Sequence, residues 1–130
     1  MIEVYIDGAS TGNPGLAGAG IFIKANGKVE HYSIPLGEMT SHEAEFWALI
    51  KALEICIDKG YKVVSFRTDS KVVDDAVEAR YAKREPFASL INKALPYIDR
   101  FDLFFLKWIP SKNNSTADRL AKQAVQNNDR

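Results

Sequence analysis

The sequence has very little cysteine and no long apolar run. Cys56 is the only cysteine among the 130 residues, so an intrachain disulfide is impossible, and its place in an apolar pattern of helical period indicates a small buried side chain. No apolar run approaches the roughly 20 residues that a membrane-spanning helix needs. No basic region followed by an apolar stretch comes after Met1, so we expect no signal peptide. These absences predict a cytoplasmic protein without a membrane partner.

The sequence also lacks an excess of charge of either sign. Its 17 Lys and Arg residues balance 17 Asp and Glu residues, which gives a formal net charge of zero and argues against a polyanion-binding tail. Nucleic-acid binding is still compatible with this balance, because carboxylates gathered around metal ions would mask a basic face elsewhere. With no internal repeat, the length predicts one domain over residues 1–130, which we expect to be a monomer with no obligate protein partner.

Alternating apolar side chains and β-branched residues predict five strands. These strands cover residues 2–7, 19–24, 28–34, 63–68 and 102–109. A glycine-rich turn over residues 8–15 separates the first two strands, and Asn26-Gly27 is typical of a hairpin turn between the second and the third. The first three strands should therefore form an antiparallel meander.

Helical periodicity and capping residues predict four helices. They run over about 40–58, over about 70–80, from Glu85-Pro86 to a bend or end at Pro96, and from Ser115 onward. Residues 40–43 (TSHE) fit a capping box, and residues 115–118 (STAD) fit a second one. The element order predicts an α/β fold. Its mixed five-stranded sheet has three antiparallel strands, then two parallel strands reached by helical crossovers, with helices on both faces.

Four acidic residues stand at strand ends and helix starts, where a sheet of this kind can bring them together. They are Asp7, Glu45, Asp69 and Asp118. Gathered carboxylates repel one another and raise one another's pKa unless cations are bound. Oxygen-only ligands suit Mg²⁺ or Mn²⁺ rather than zinc, and two such ions about 3.5–4 Å apart can support phosphodiester hydrolysis.

Each of these acids also has a purely structural interpretation. Asp7 and Asp69 could satisfy turns or caps, Glu45 could be a solvated residue near the positive end of a helix, and Asp118 could complete a capping box. Spacing alone does not choose between the two interpretations. The residues around the acids do.

Four segments around these acids resemble motifs of the type I ribonuclease H family, in the family's order and over nearly the whole chain. They are residues 5–15 (YIDGASTGNPG), 40–45 with Ala48-Leu49 (TSHEAE), 68–70 (TDS) and 117–121 (ADRLA). The resemblance implies the ribonuclease H-like fold. It also implies an endonuclease that hydrolyses the RNA strand of RNA/DNA hybrids to 5′-phosphate and 3′-hydroxyl products.

The resemblance assigns roles to individual residues. Asp7, Glu45, Asp69 and Asp118 would be catalytic and would bind two Mg²⁺ ions, with Mn²⁺ as a possible substitute. The nucleic-acid contacts would come from the turn at Gly12 and Asn13 and from the helix start at Thr40 and Ser41. Independently of the resemblance, Ser70 could bind phosphate, because a helix N-terminus favours anions. A turn that presents both donors and acceptors can recognise the 2′-OH of RNA.

The sequence departs from the family pattern in two places. The loop over residues 109–114 (IPSKNN) lacks the histidine that many members carry, and the segment 80–84 (RYAKR) is all that stands for their basic protrusion. His42 precedes Glu45 by three residues, so the two side chains can share a helix face. Trp47 and Trp108 are interpreted as core residues.

Two other functions remain open at this point. A protein of the same fold could cut double-stranded RNA or DNA. Alternatively, a weakly active or inactive homologue without the loop histidine could bind nucleic acid. The presence of all four acids favours the enzyme.

Overall fold

The computed structural model describes residues 1–128, which form five strands and four helices. Their bounds are β1 Ile2–Ser10, β2 Gly15–Ala25, β3 Lys28–Met39, α1 Ser41–Asp58, β4 Val63–Thr68, α2 Lys71–Ala79, α3 Phe87–Ile98, β5 Leu103–Trp108 and α4 Ser115–Asn127. A 3₁₀ turn over Ser111–Asn113 precedes α4. No helix in this part of the chain is long and apolar enough to cross a membrane.

The strands form one mixed sheet in the order β3-β2-β1-β4-β5. The pairs β1–β2 and β2–β3 are antiparallel, whereas β1–β4 and β4–β5 are parallel. The predicted fold class is therefore confirmed, including the two parallel strands reached through helical crossovers.

The two faces of the sheet carry different helices. On one face, Val4 and Ile6 of β1 lie beside Phe66 of β4 and pack against α1, and α2 and α3 complete this layer. The opposite face carries α4, which packs across β1, β2 and β3. Successive residues of a strand point to opposite faces, so β1 sends Ile6 into the main core and Asp7 toward the α4 side.

The helix starts agree with the sequence in two cases and differ in the third. Thr40 caps α1 in a complete capping box with Glu43, and the hydroxyl of Ser70 accepts a hydrogen bond from the N–H of Val73 at the start of α2. The second predicted capping box is wrong. Helix α4 is capped at Asn114, whose side chain makes no capping hydrogen bond, so Asp118 is the fourth helical residue.

Several element boundaries also differ from the prediction. β1 extends to Ser10 because its ladder with β2 continues to the pair Ser10–Ala17, so the turn is confined to residues 11–14. Helix α3 continues two residues past Pro96. Trp108 is 41% exposed at the outer strand of the sheet, so the interpretation of this side chain as a core residue is wrong.

Candidate active site

Three of the four singled-out carboxyl groups form one cluster. Oxygen atoms of Asp7, Glu45 and Asp69 all lie within 4.8 Å of one another. Asp7 is buried, and the other two are half-buried. The cluster therefore lies beside the central strands, at the boundary between the protein interior and solvent.

Strand pairing places Asp7 next to Asp69. The parallel ladder of β1 and β4 pairs Ile6 with Thr68, so the residues that follow them lie side by side, Asp7 within β1 and Asp69 just after the end of β4. The N–H of Ser70 donates to the hydroxyl of Thr68 at 3.1 Å, and the indole N–H of Trp108 donates to the carbonyl of Asp69 at 3.2 Å. The peptide group between Asp69 and Ser70 is thus held by side chains at both its carbonyl and its N–H.

Glu45 reaches the cluster because α1 lies unusually close to β1. A Cβ at Gly8 would overlap the backbone of Ala44 and Glu45, so only glycine beside Asp7 permits this approach. Two neighbours then orient the Glu45 carboxylate. His42 Nδ1 lies 2.8 Å from Glu45 Oε1, and the hydroxyl of Ser70 donates to the same oxygen at 3.1 Å. The expected shared face of His42 and Glu45 is therefore confirmed.

Asp118 approaches Asp7 from the face of the sheet opposite α1, and here too a glycine permits the close approach of a helix. Gly20 is the cross-strand partner of Asp7, and a Cβ at Gly20 would overlap the carbonyl of Ala117 in α4. The side-chain amide of buried Asn114 also donates to the carbonyl of Ile6 at 2.9 Å, which ties the start of α4 to β1. The two glycines beside and opposite Asp7 thus let two helices converge on it.

Asp118 differs from the three clustered residues in its surroundings. Its side chain is 42% exposed, and its Oδ2 lies 3.0 Å from the ammonium nitrogen of Lys122, one turn further along α4. The three-residue cluster does not include it. Asp118 therefore stands beside the cluster, facing Asp7, with a cation of its own.

The electrostatics of Asp7 reflect this crowding. Burial, the negative charges of Asp69 and Asp118, a hydrogen bond with the Asp118 carboxylate and the charge of Glu45 together raise the pKa of Asp7 to about 9. Such a shift means that the ionised carboxylates destabilise one another when nothing positive lies between them. The arrangement is typical of groups that share a cation.

The donor set fits a hard divalent ion. The clustered atoms are carboxylate oxygens, which Mg²⁺ and Mn²⁺ prefer, whereas sulfur is absent and the nearest imidazole is directed at Glu45. Asp7, Glu45 and Asp69 would hold such an ion, and Asp118 could contribute from the side.

The five residues expected to contact nucleic acid each lie within six residues of Asp7, Glu45 or Asp69 in the sequence. Gly12 and Asn13 are exposed in the turn between β1 and β2, Thr40 and Ser41 begin α1, and Ser70 is buried with its hydroxyl on Glu45. The hydroxyl of Ser10 lies 2.7 Å from the carbonyl of Gly12 and 2.8 Å from that of Met39. This contact joins the turn to the segment leading into α1.

Sequence reasoning missed three residues that shape the site, namely Ser10, Asn114 and Trp108. Each acts on backbone groups far away in the chain, such as Met39, Ile6 and Asp69. The available signal for Asn114 was its place just before a helix, which is typical of a cap, but its side chain bonds to β1 instead.

Comparison with known proteins identifies the family. The family model described as "Reverse transcriptase-like" matches residues 5–124. The putative hydrolase EbsB of Enterococcus faecalis is 36% identical over 128 residues, which cover 97% of this chain and 95% of that protein. Ribonuclease HI of Halobacterium salinarum is 32% identical over 127 residues, which cover 95% of this chain and 64% of that protein. The chain belongs to the type I ribonuclease H family.

A solved structure extends this likeness to three dimensions. LC11-RNase H1, solved in complex with an RNA/DNA hybrid, matches with a TM-score of 0.88 at 31% identity, covering 98% of each chain. The resemblance found in the four motifs is therefore confirmed, and the protein is a ribonuclease H-type enzyme. As a ribonuclease H, it carries all four acids of the motifs, with three of them clustered.

Proposed function

We propose that this protein is a divalent-metal-dependent endonuclease that hydrolyses the RNA strand of RNA/DNA hybrids and leaves 5′-phosphate and 3′-hydroxyl ends. The observation that carries the proposal is the cluster of Asp7, Glu45 and Asp69 oxygens within 4.8 Å. The hybrid as substrate is supported by the complex of LC11-RNase H1, a relative of the same fold. We also propose that residues 1–130 act as one catalytic domain, as a monomer in the cytoplasm.

Each of the three clustered carboxylates has a proposed role that follows from its position. Asp7 and Asp69, side by side where the pairing of β1 with β4 ends, would form the fixed part of a two-ion Mg²⁺ site, for which Mn²⁺ could substitute. Glu45 would complete it, with Oε1 held by His42 and Ser70 so that the carboxylate cannot turn away. When bound, the ions would activate the attacking water and stabilise the leaving oxygen.

The groups around the cluster would recognise the RNA strand of the hybrid. The exposed turn with Gly12 and Asn13 presents backbone donors and acceptors, which suits the 2′-OH of RNA. Thr40 and Ser41 would lie near the hybrid backbone, and the N-terminus of α2 beside Ser70 favours a phosphate. The hydroxyl of Ser10 would keep the turn and the segment before α1 in one arrangement.

The test is a cleavage assay on three duplexes of one sequence, namely RNA/DNA hybrid, double-stranded RNA and double-stranded DNA. Each is incubated with Mg²⁺, with Mn²⁺ and with excess chelator. We expect cleavage of the hybrid RNA alone, and only with a divalent ion. Equal cleavage of another duplex, or cleavage in chelator, would contradict the proposal.

The chemistry of the product ends is an independent check. Attack by water leaves 5′-phosphate and 3′-hydroxyl ends, whereas attack by the RNA's own 2′-OH leaves a 2′,3′-cyclic phosphate. Mass spectrometry of the fragments distinguishes the two. Because the second route needs no carboxylate–metal site, cyclic phosphates would remove the proposed roles of Asp7 and Asp69 as well.

A further inference from the structure

The two edge strands of the sheet are protected to very different degrees. The outer strand β3 carries charged residues and a proline along its length, including Lys28, Glu30 and Pro35, and its pairing with β2 is interrupted by a register shift. These features discourage the addition of another strand. At the other edge, β5 is uncharged over residues 103–106 (LFFL), and Lys107 near its end is its one charged residue. Within the described residues no strand pairs with its outer side.

Both faces of β5 offer surface to an added strand. On the face opposite α2, Leu103 is 53% exposed and Phe105 is 47% exposed, and α4 packs over β1–β3 instead. On the other face, a groove of about 600 Å³ runs between β5 and α2, with Phe104 and Leu106 in its floor. An extended segment along β5 would place alternate side chains on these two surfaces.

The groove has an acidic wall. Asp74 and Glu78 lie one turn apart on α2, and both line the groove. Arg80 also lines it, but its guanidinium is engaged by Asp99 at 2.8 Å. Lys71 approaches Asp74 only to 3.9 Å. The pKa of Asp74 is raised above its ordinary value, chiefly by burial, so Lys71 does not fully compensate this carboxylate.

The negative charge of the groove wall determines which class of molecule can bind along β5. A nucleic-acid backbone would bring phosphates against Asp74 and Glu78 and would be repelled. A second copy, joined β5 to β5 across a two-fold axis, would set two identical acidic walls on the same side of the joined sheet. A cationic segment meets neither obstacle, because its positive side chains would lie against the wall.

We propose that β5 is a docking edge for an extended segment of a partner protein in which Lys or Arg alternates with apolar residues. The segment adds to the sheet as a sixth strand, with main-chain hydrogen bonds to β5. Its basic side chains lie in the groove beside Asp74 and Glu78. Its apolar side chains cover Leu103 and Phe105.

The test uses the full chain, labelled with ¹⁵N, and a ten-residue peptide in which lysine alternates with valine. We expect amide shift changes in β5 and α2 on titration. Three further peptides are the controls. One has glutamate in place of lysine, one groups five lysines before five valines, and one carries N-methyl groups that block main-chain hydrogen bonding. Each should bind at least about tenfold more weakly, a difference of about 1.4 kcal/mol.

The protein side is tested with the double variant Asp74→Asn/Glu78→Gln. It should weaken binding about tenfold, whereas Asp75→Asn, an exposed acid of the same helix that does not line the groove, should leave binding unchanged. Shift changes centred on Asp7 or Glu45, equal binding of the glutamate or N-methyl peptide, or no binding at all would overturn the proposal. The peptide controls use the unaltered protein, so they decide the matter even if the double variant unfolds.

Discussion

Asp7 and Asp118 carry the same functional group on the same face of the sheet, yet they are held in opposite ways. Asp7 is 8% exposed and belongs to a strand that is paired on both sides. Asp118 has a side chain that is 42% exposed, on the first turn of a helix, with Lys122 as its counterion. The strand fixes the first carboxylate at the cost of a raised pKa. The helix leaves the second solvated and able to turn.

This comparison teaches that a site of four acids need not be four equivalent ligands. The buried part, Asp7 with Asp69 and Glu45, is assembled by the fold before any cation arrives. The exposed part, Asp118, can exchange its partner, because Lys122 is an exposed cation in competition with any other. Four predictions test how far the two parts differ.

The largest effect is expected from Asp7→Asn. The substitution keeps the shape but removes a charge from the centre of the cluster, so the transition-state stabilisation by bound ions should fall by several kcal/mol, or at least about a thousandfold in rate. Single-turnover cleavage of the hybrid measures this loss. Asp75→Asn, an exposed acid outside the cluster, is the matched control and should cleave normally. Residual activity above one tenth would mean that the buried part is not the catalytic part.

Asp118→Asn should have a smaller effect on cleavage. If Asp118 supports the cluster from outside, the loss should be about tenfold to a hundredfold, as for residues beyond the direct metal ligands. Its effect on unfolding should stay under about 1 kcal/mol, because Asp118 is not in a capping position. Rates and thermal unfolding measured on one preparation separate the two quantities. A loss as large as that of Asp7→Asn would abolish the distinction, and near-normal cleavage would remove Asp118 from the site.

The free energy of unfolding of the metal-free protein should fall as the pH rises from the pKa of Asp7 in the unfolded chain to its pKa in the folded protein. Its pKa is about 9 in the folded state, against an ordinary value of 3.8, so the folded protein holds a proton that the unfolded chain has lost. Folding is therefore favoured less at each step from about pH 4 to about pH 9. The melting temperature of Asp7→Asn should exceed that of wild type by at least about 3 °C at pH 8 and should change less with pH. If the melting temperatures of the two proteins changed equally with pH, Asp7 would not be the group whose pKa is raised.

The smallest effect is expected from Lys122→Gln. Removing the ammonium group frees Asp118, so the divalent-ion concentration for half-maximal cleavage should fall by about twofold, with the maximal rate unchanged. The difference should shrink as salt is added, because the pair is exposed. Lys59→Gln, which breaks the ion pair with Glu30 beyond the far end of α1, is the control. A change in the maximal rate would show that Lys122 itself acts on the substrate.

The sequence predicts the elements of this fold better than their mutual contacts. Alternation, β-branched residues and an apolar, aromatic run located the five strands, and the Thr40–Glu43 capping box located the start of α1, because these signals are local. The lengths of the first three strands were underestimated, in part because Gly8 and Gly15 were assigned to a turn, whereas both pair within the sheet.

The same distinction between local signals and long-range contacts applies to the candidate active site. The acids could be singled out from their motifs, but the reason they meet lies in register and packing. Gly20 reveals its part only when paired with Asp7, and Asn114 only when its amide is seen on the carbonyl of Ile6. Both contacts span more than ten residues of chain. Local patterns therefore could not have found them.

Trp108 gives this molecule a built-in optical reporter. Its indole N–H touches the backbone of Asp69 on one side, while its ring lines the groove beside β5 on the other. The chain has one other tryptophan, Trp47, which lies between Lys51 and Lys93 on a different part of the surface. With Trp47 replaced by phenylalanine, the emission of a single fluorophore would respond to a cation arriving at Asp69 and to a strand arriving at β5. Cation binding at Asp69 and strand binding at β5 could thus be followed by intrinsic fluorescence, without an attached dye.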